Sequence, residues 1–199
     1  MFKKSITIKD YERFRWFFTS NDVLVIGGKS DKQNESIIER FSKPEYTIMH
    51  TSKPGSSFVI IQNKNPSKQD LKEAAIFCGC FSQQWKLNKK IIEIDIFKGK
   101  QIYKNKSMKT GTFGIHGAKK LLKIKPKLFL IIQKGILRSV PESIKEKKLI
   151  EITPGNLSKE ISTKNIARTL KEKYNLLISK SEILQALPSD KINIKIIKK

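Results

Sequence analysis

The run Gly27-Gly28-Lys29-Ser30 follows the apolar residues Val23 to Ile26 and precedes an amphipathic stretch from Asp31 to Phe41. A strand feeding a glycine turn at a helix N-terminus aims unpaired backbone N–H groups at an anion, which is the chemistry of a phosphate loop. The spacing opposes nucleotide hydrolysis. A P-loop needs G-x-x-x-x-G-K-[ST], and counting back from Gly28-Lys29-Ser30 puts Val23, a strand residue, where the first glycine belongs. The plainer reading is a chain reversal at the two glycines with Ser30 capping a helix. Ser30-Asp31-Lys32-Gln33 has the S-x-x-Q form of a capping box.

Other reactive side chains are few. Cys78 and Cys80 flank Gly79; on a helix, positions i and i+2 point about 200° apart, so the two thiols do not converge on one ion unless the helix breaks there. His50 and His116 are the only histidines, both beside turns, and neither sits in a nucleophile arrangement; they suit hydrogen bonding to phosphate or base, or an ordinary structural role. Trp85, next to Lys86, could stack on a base, but its alignment with Leu71 and Cys78 favours a core position. In Gly114-Ile115-His116-Gly117-Ala118-Lys119-Lys120 the glycines permit close backbone approach and the lysines suit phosphate contact; a solvated charge pair is the competing reading.

The charge balance directs these candidates toward a polyanion. The 199 residues carry 41 Lys plus Arg against 18 Asp plus Glu, a formal net charge of +23. Such an excess repels itself in the folded state unless an anionic partner neutralises it. Lysine dominates, with arginine only at positions 13, 15, 40, 138 and 168. Lysine is a hydrated point charge suited to phosphates rather than to reading base edges, so backbone-dominated nucleic-acid binding is expected. An AT-rich genome would explain Lys in place of Arg, but not the shortage of Asp and Glu. No apolar run reaches the roughly 20 residues of a membrane helix. The opening residues lack the apolar core of a secretory signal, and two cysteines form no disulfide framework. A cytoplasmic protein with no membrane partner follows.

The elements that must position these residues are legible from their patterning. Phe14 to Gly27 holds two apolar runs joined by Thr-Ser-Asn-Asp, a hairpin signal, and a helix over about 31–42 follows. Residues 46–50 and 58–62 read as strands around a turn at Pro54-Gly55, of type II. A longer helix is expected over about 67–86, capped by Ser67 with acidic Asp70 three residues on. From Ile91 to Val140 short β-type runs alternate with turns, as in a largely antiparallel sheet. Beyond residue 150 the sequence offers a helix over 162–175, a second opened by Ser179-Lys180-Ser181-Glu182, a stop at Pro188, and a last strand at 192–197. The expected class is α+β: a mostly antiparallel sheet with two main helices packed on it over residues 1–150, and a small helix-helix-strand extension over 151–199. A piece of about 50 residues is at the lower edge of independent stability, so it is expected to dock on the first.

Taken in order, these pieces resemble the NFACT-R domain, the RNA-binding module of the NFACT proteins of ribosome quality control. Residues 11–41 are similar to its opening, an aromatic-rich R-F-x-W-F strand, a glycine turn and a Gln-Asn-Glu, here Gln33-Asn34-Glu35. Residues 46–61 resemble its H-A-D-x-x-G-A-S segment with His50 and Gly55 in register, and Ala75, Ser82 and Trp85 match a later A-x-x-x-x-x-x-S-x-A-W. Residues 104–120 resemble its K…G-[TS]-F-M-I-x-G-K-K. Ser52 stands where an Asp is usual, and Gly114 replaces a Met. The likeness covers about residues 11–135, and the closing EILQALPSDKINI is similar to the ending of short archaeal members. Because it begins so near Met1, the glycosylase-like domain, helix-hairpin-helix and coiled coil of full-length members are expected to be missing.

The resemblance implies a non-catalytic RNA-binding protein recognising tRNA or large-subunit rRNA through phosphates, with the large ribosomal subunit as partner. No catalytic residue, metal, cofactor or small-molecule substrate is expected. The RNA-contacting candidates are Lys29, Lys32, Asn34, His50, Lys53, Lys86, His116, Lys119 and Lys120. A second function, in a 4-thiouridine-type tRNA modification pathway, would require Cys78 or Cys80 as an exposed, low-pKa thiol; a ribosome-docking or DNA-binding module is a third.

Overall fold

The computed structural model describes residues 10–188 and 191–197; the opening residues 1–9, read above as no secretory signal, and the residues just after Pro188 lie outside them. The hairpin forms as the sequence requires. β1 (Arg15–Phe18) pairs antiparallel with β2 (Leu24–Gly27), from Arg15↔Gly27 to Phe18↔Leu24. Asp22 closes the turn at φ 56, a left-handed position that short polar side chains tolerate. Ser30 then caps α1 (Asp31–Phe41), accepting from the Gln33 backbone N–H at 3.3 Å. The Gln33 side chain reaches back one residue further than a capping box does, accepting from the Lys29 N–H at 3.0 Å.

β3 (Thr47–Thr51) and β4 (Val59–Ile61) pair antiparallel, and Gly55, at φ 92, takes the conformation that position i+2 of a type II turn demands. α2 (Lys68–Cys80) opens with a complete capping box between Ser67 and Asp70. The long helix expected over 67–86 is interrupted. Phe81 leaves the helical region, and Ser82 caps a separate short helix, α3 (Gln83–Lys86), while its hydroxyl donates to the Gly79 carbonyl at 2.7 Å. Serine competes in this way with the helix for backbone partners. Trp85 is fully buried in the same core as α2.

The strands from β5 (Ile92–Lys98) onward are antiparallel, but they divide among three sheets. β5 and β8 (Lys120–Ile124) complete a six-stranded sheet in the order β1-β2-β4-β3-β5-β8. Between them β6 (Ile102–Tyr103) and β7 (Gly114–Ile115) form a two-stranded ribbon. β9 (Leu128–Gln133), β10 (Ile136–Val140), β11 (Ile150–Leu157) and β12 (Ile192–Ile196) form a four-stranded sheet in the order β10-β9-β11-β12. α4 (Lys159–Tyr174) and α5 (Lys180–Ala186) lie between β11 and β12, close to the expected bounds. The second sheet takes strands from both sides of residue 150, so the C-terminal segment shares a core with what precedes it.

Alternation along the central strands explains the two layers over the six-stranded sheet. Ile26, Ile48 and Ile60 face α1 with Ile37 and Ile38; Val25, Met49, Val59 and Ile61 face α2 with Ala74 and Phe77. Both faces of a strand are apolar, so each needs a helix to cover it. The fold is α+β, as expected.

Candidate nucleic-acid interface

Three segments meet at a cavity of about 370 Å³: the first turn of α1, the β3–β4 loop at Gly55–Ser57, and Ser82 to Lys86 around α3. The loop is pinned to α3 by a bond from the Gln83 N–H to the Gly55 carbonyl at 2.8 Å and a Ser56–Ser82 bridge. A Cβ on Gly55 would lie 2.5 Å from Gln83 Cγ, and one on Gly28 would lie 2.2 Å from Asn34 Oδ1. Both glycines are therefore required by close approach, which is how the glycine turn serves this site.

Cations outnumber carboxylates there. Arg15, Lys29, Lys86 and Lys159 line the cavity, and Asp31 is its one acidic lining residue. Arg15 Nη1 donates to the Gly28 carbonyl and to Ser57 Oγ at 3.1 Å, and the guanidinium lies 4.7 Å from the Phe81 ring centroid. It has no salt-bridge partner among the described residues. Burial pushes its pKa down to about 10, which still leaves it charged at neutral pH. Burial also lowers the Lys29 pKa, helped by repulsion from Arg15 and Arg138. Arg138 stacks 4.2 Å from the Trp16 centroid, and burial likewise pushes it down to about 10. Arg138 has Glu182 and Glu12 near enough to favour its charge, whereas Arg15, half-buried with no carboxylate beside it among the described residues and repelled by Lys29, costs the fold stability. An anion placed among them reverses that sign.

The Gln33-Asn34-Glu35 run holds the cavity's walls together. Asn34, 5% exposed, accepts from the Phe58 N–H at 3.1 Å and donates to the Ser56 carbonyl at 3.5 Å, which ties α1 to the loop. Glu35 accepts from the Gly111 N–H and from Lys104 Nζ at 2.9 Å, fastening the β6–β7 connection to α1; the Gly111 N–H, followed by Lys104, keeps its carboxyl below the usual range. With both polar ends of its side chain engaged by backbone, Asn34 acts here as a positioning residue.

The remaining candidates fall into separate places. Lys53 is exposed on the loop that forms one wall, and Lys32 is exposed on the first turn of α1. His50 lies behind that loop, its Nδ1 bonded to the Thr51 carbonyl at 2.8 Å and its ring 4.7 Å from Phe58. Burial is the main cause that lowers its pKa, so it is neutral at pH 7. The folded state then binds fewer protons than the unfolded chain, and this contribution to stability is lost as the pH falls below about 6.5. Denaturant titrations from pH 7.5 to 5.5 should show stability falling in the wild type and a flatter profile in His50→Gln.

Lys119 Nζ is hydrogen-bonded to Asp95 Oδ2, and Ser52 donates to the other oxygen at 2.6 Å, so its charge is largely met within the protein. Lys120 begins β8 beside Leu71 and Ile96, away from the cavity. His116 is exposed and stacks on Tyr103 with centroids 4.1 Å apart. A Cβ on Gly114 would meet that tyrosine ring at 2.1 Å, which accounts for the glycine where the family pattern has Met. Thus Lys29, Asn34 and Lys86 come together, Lys32 and Lys53 flank them, and His116, Lys119 and Lys120 do not join them. Arg15 and Tyr103 escaped the sequence reading, although the R-F-x-W-F pattern contains Arg15 as its unassigned position.

Both thiols are buried in α2, with burial pushing Cys78 up to about 12 and raising Cys80 as well. Nothing in that environment supports a sulfur carrier, which requires an exposed thiolate. Among the described residues no cluster of three or more His, Cys, Asp or Glu is placed to hold a metal, and no helix is long and apolar enough to cross a membrane.

Comparison with known proteins identifies the family. The family described as the NFACT protein RNA binding domain matches residues 13–117, over half of the chain. The ribosome quality control complex subunit NEMF homolog of Drosophila melanogaster is 31% identical over 149 residues, 71% of this chain and 14% of that protein. The archaeal Rqc2 homolog aRqcH of Methanocaldococcus jannaschii is 28% identical over 197 residues, 90% of this chain and 28% of that protein. The chain therefore spans less than a third of the length of these relatives. The C-terminal part of the fibronectin/fibrinogen-binding protein from Streptococcus suis shares the fold, with a TM-score of 0.53 at 21% identity over 62% of this chain and 49% of the other. The family match spans both the glycine turn and the Gln33-Asn34-Glu35 clamp. The chain belongs to the NFACT RNA-binding domain family.

Proposed function

We propose that this protein binds structured RNA, tRNA or large-subunit rRNA, by its phosphates, and that it does so in ribosome-associated quality control without catalysing a reaction itself. The cavity beside α1 is the anchor, with Arg15, Lys29 and Lys86 contacting phosphate and Lys32 and Lys53 extending the track. The observation that carries the reading is the gathering of half-buried Arg15 and exposed Lys29, without salt-bridge partners among the described residues, at the N-terminus of α1. Backbone N–H groups at a helix start favour the same ligand charge. A-form RNA exposes phosphates and 2′-hydroxyls more readily than its base edges, so recognition by shape fits the lysine-rich surface. Relatives named as ribosome quality control subunits support the cellular setting.

The test is a salt titration of binding to tRNA and to large-subunit rRNA fragments, with double-stranded DNA of equal length as comparison. The expected result is tighter binding to one of the RNAs than to DNA, with a log–log slope steep enough to report several phosphate contacts. Equal affinity for DNA and RNA at every salt concentration would remove the proposal.

A further inference from the structure

A second groove, of about 730 Å³, runs along the far edge of the six-stranded sheet. Ile96, Leu122 and Ile124 form its floor and Leu71 and Ile76 of α2 its wall. β8 pairs with β5 and ends the sheet, so its outer edge has no strand partner among the described residues. Leu121 on that strand is 55% exposed. At the opposite edge of the same sheet the chain itself meets the outward backbone of Phe18: Gln133 accepts from the Phe18 N–H at 2.8 Å and donates to the Phe18 carbonyl at 3.0 Å. The chain thus caps one edge at Phe18 and leaves the other open beside an aliphatic trough.

The rim is cationic. Glu142 is the one carboxylate in the lining, and it is paired with Lys127 at 2.7 Å; Lys123 is paired with Glu93 at 3.3 Å. Lys68, Lys72, Lys120 and Lys125 have no acidic partner among the described residues. Lysines on an edge strand can serve simply to prevent aggregation, but protection needs charge alone, not an open apolar floor. RNA is a poorer occupant than protein, because leucine and isoleucine offer bases no stacking surface. We infer that this groove accepts an extended acidic segment of a partner protein, added as a strand to β8. Aliphatic side chains enter the trough, and carboxylates at either end meet the four rim lysines.

A fluorescein-labelled peptide, Glu-Asp-Val-Ile-Val-Glu-Asp, tests this by anisotropy against the whole chain. Saturable binding is expected, weakened at least tenfold for an all-glutamate peptide of the same length and in the Lys68→Glu, Lys72→Glu double variant. The same peptide with alternate backbone nitrogens methylated cannot donate to β8 and should also bind at least tenfold more weakly, with no change to the protein. No saturable binding, equal binding of the methylated peptide, or displacement of the peptide by tRNA would each overturn the inference, the last by assigning the groove to RNA.

Discussion

Replacing Lys29 and Lys86 together by alanine should shallow the salt dependence of RNA binding by about 1.4 to 1.8 units of log slope, at about 0.7 to 0.9 for each phosphate no longer neutralised. Affinity at moderate salt should fall by roughly tenfold or more, since a hydrogen bond from a lysine to a phosphate is charge-assisted. Folding stability should hold or rise slightly. Both side chains are exposed, and removing Lys29 relieves its repulsion from Arg15 and Arg138. Equilibrium binding over a salt series, with urea melts of the same proteins, reads both effects. The sequence alone suggests a similar slope change of one to two units for Lys119 and Lys120, but the ion pair to Asp95 alters that expectation. Their double alanine variant should change the slope by about one unit or less. If it exceeds the Lys29 and Lys86 variant, the anchor lies on the β7–β8 side instead.

Trp85→Ala is expected to have the largest effect on stability, about 3–5 kcal/mol, because the indole is fully buried and its removal leaves a cavity where α3 meets α2. Its Nε1 has no hydrogen-bond partner among the described residues, so the loss is one of packing. Trp85→Phe should recover much of the stability. At a temperature where the alanine variant is still folded, its RNA salt slope should match the wild type. A loss of affinity at an unchanged slope, with folding intact, would mean that the indole stacks on a base.

Local signals in the sequence carried much of this architecture. Ser67 and Asp70 specify a helix start by short-range chemistry, and the complete box forms; the turn residues Thr19 to Asp22 specify a hairpin, and β1 and β2 pair in register. The break at Phe81 was not legible, because Ser82 terminates α2 by bonding back to Gly79 while capping α3, and a serine in an apolar run does not announce that choice. Nor was the division of the later strands. The 3₁₀ turn at Gly99–Gln101 diverts the chain from β5, and only tertiary contacts decide which strand β8 then joins.

The site was half legible for a related reason. Lys29 and Lys86 stood out by charge beside glycines or an aromatic residue, and they line one cavity. Asn34 stood in the same motif, yet its amide is spent on the backbone of residues 56 and 58, which sequence spacing cannot reveal. Arg15 was hidden because an arginine between buried aromatics reads as the outward position of an edge strand. Its partner surface, Phe81 and Ser57, is far away in the chain.

Whether the cavity beside α1 holds RNA is tested most directly by photo-crosslinking the protein to tRNA and to large-subunit rRNA and mapping the joined peptides. Crosslinks are expected to concentrate in residues 15–32, on the loop carrying Lys53, and at Gln83 to Lys86. Crosslinks confined to β8 and the residues that follow it, or to α4 and α5 away from Lys159, would contradict RNA binding at this cavity.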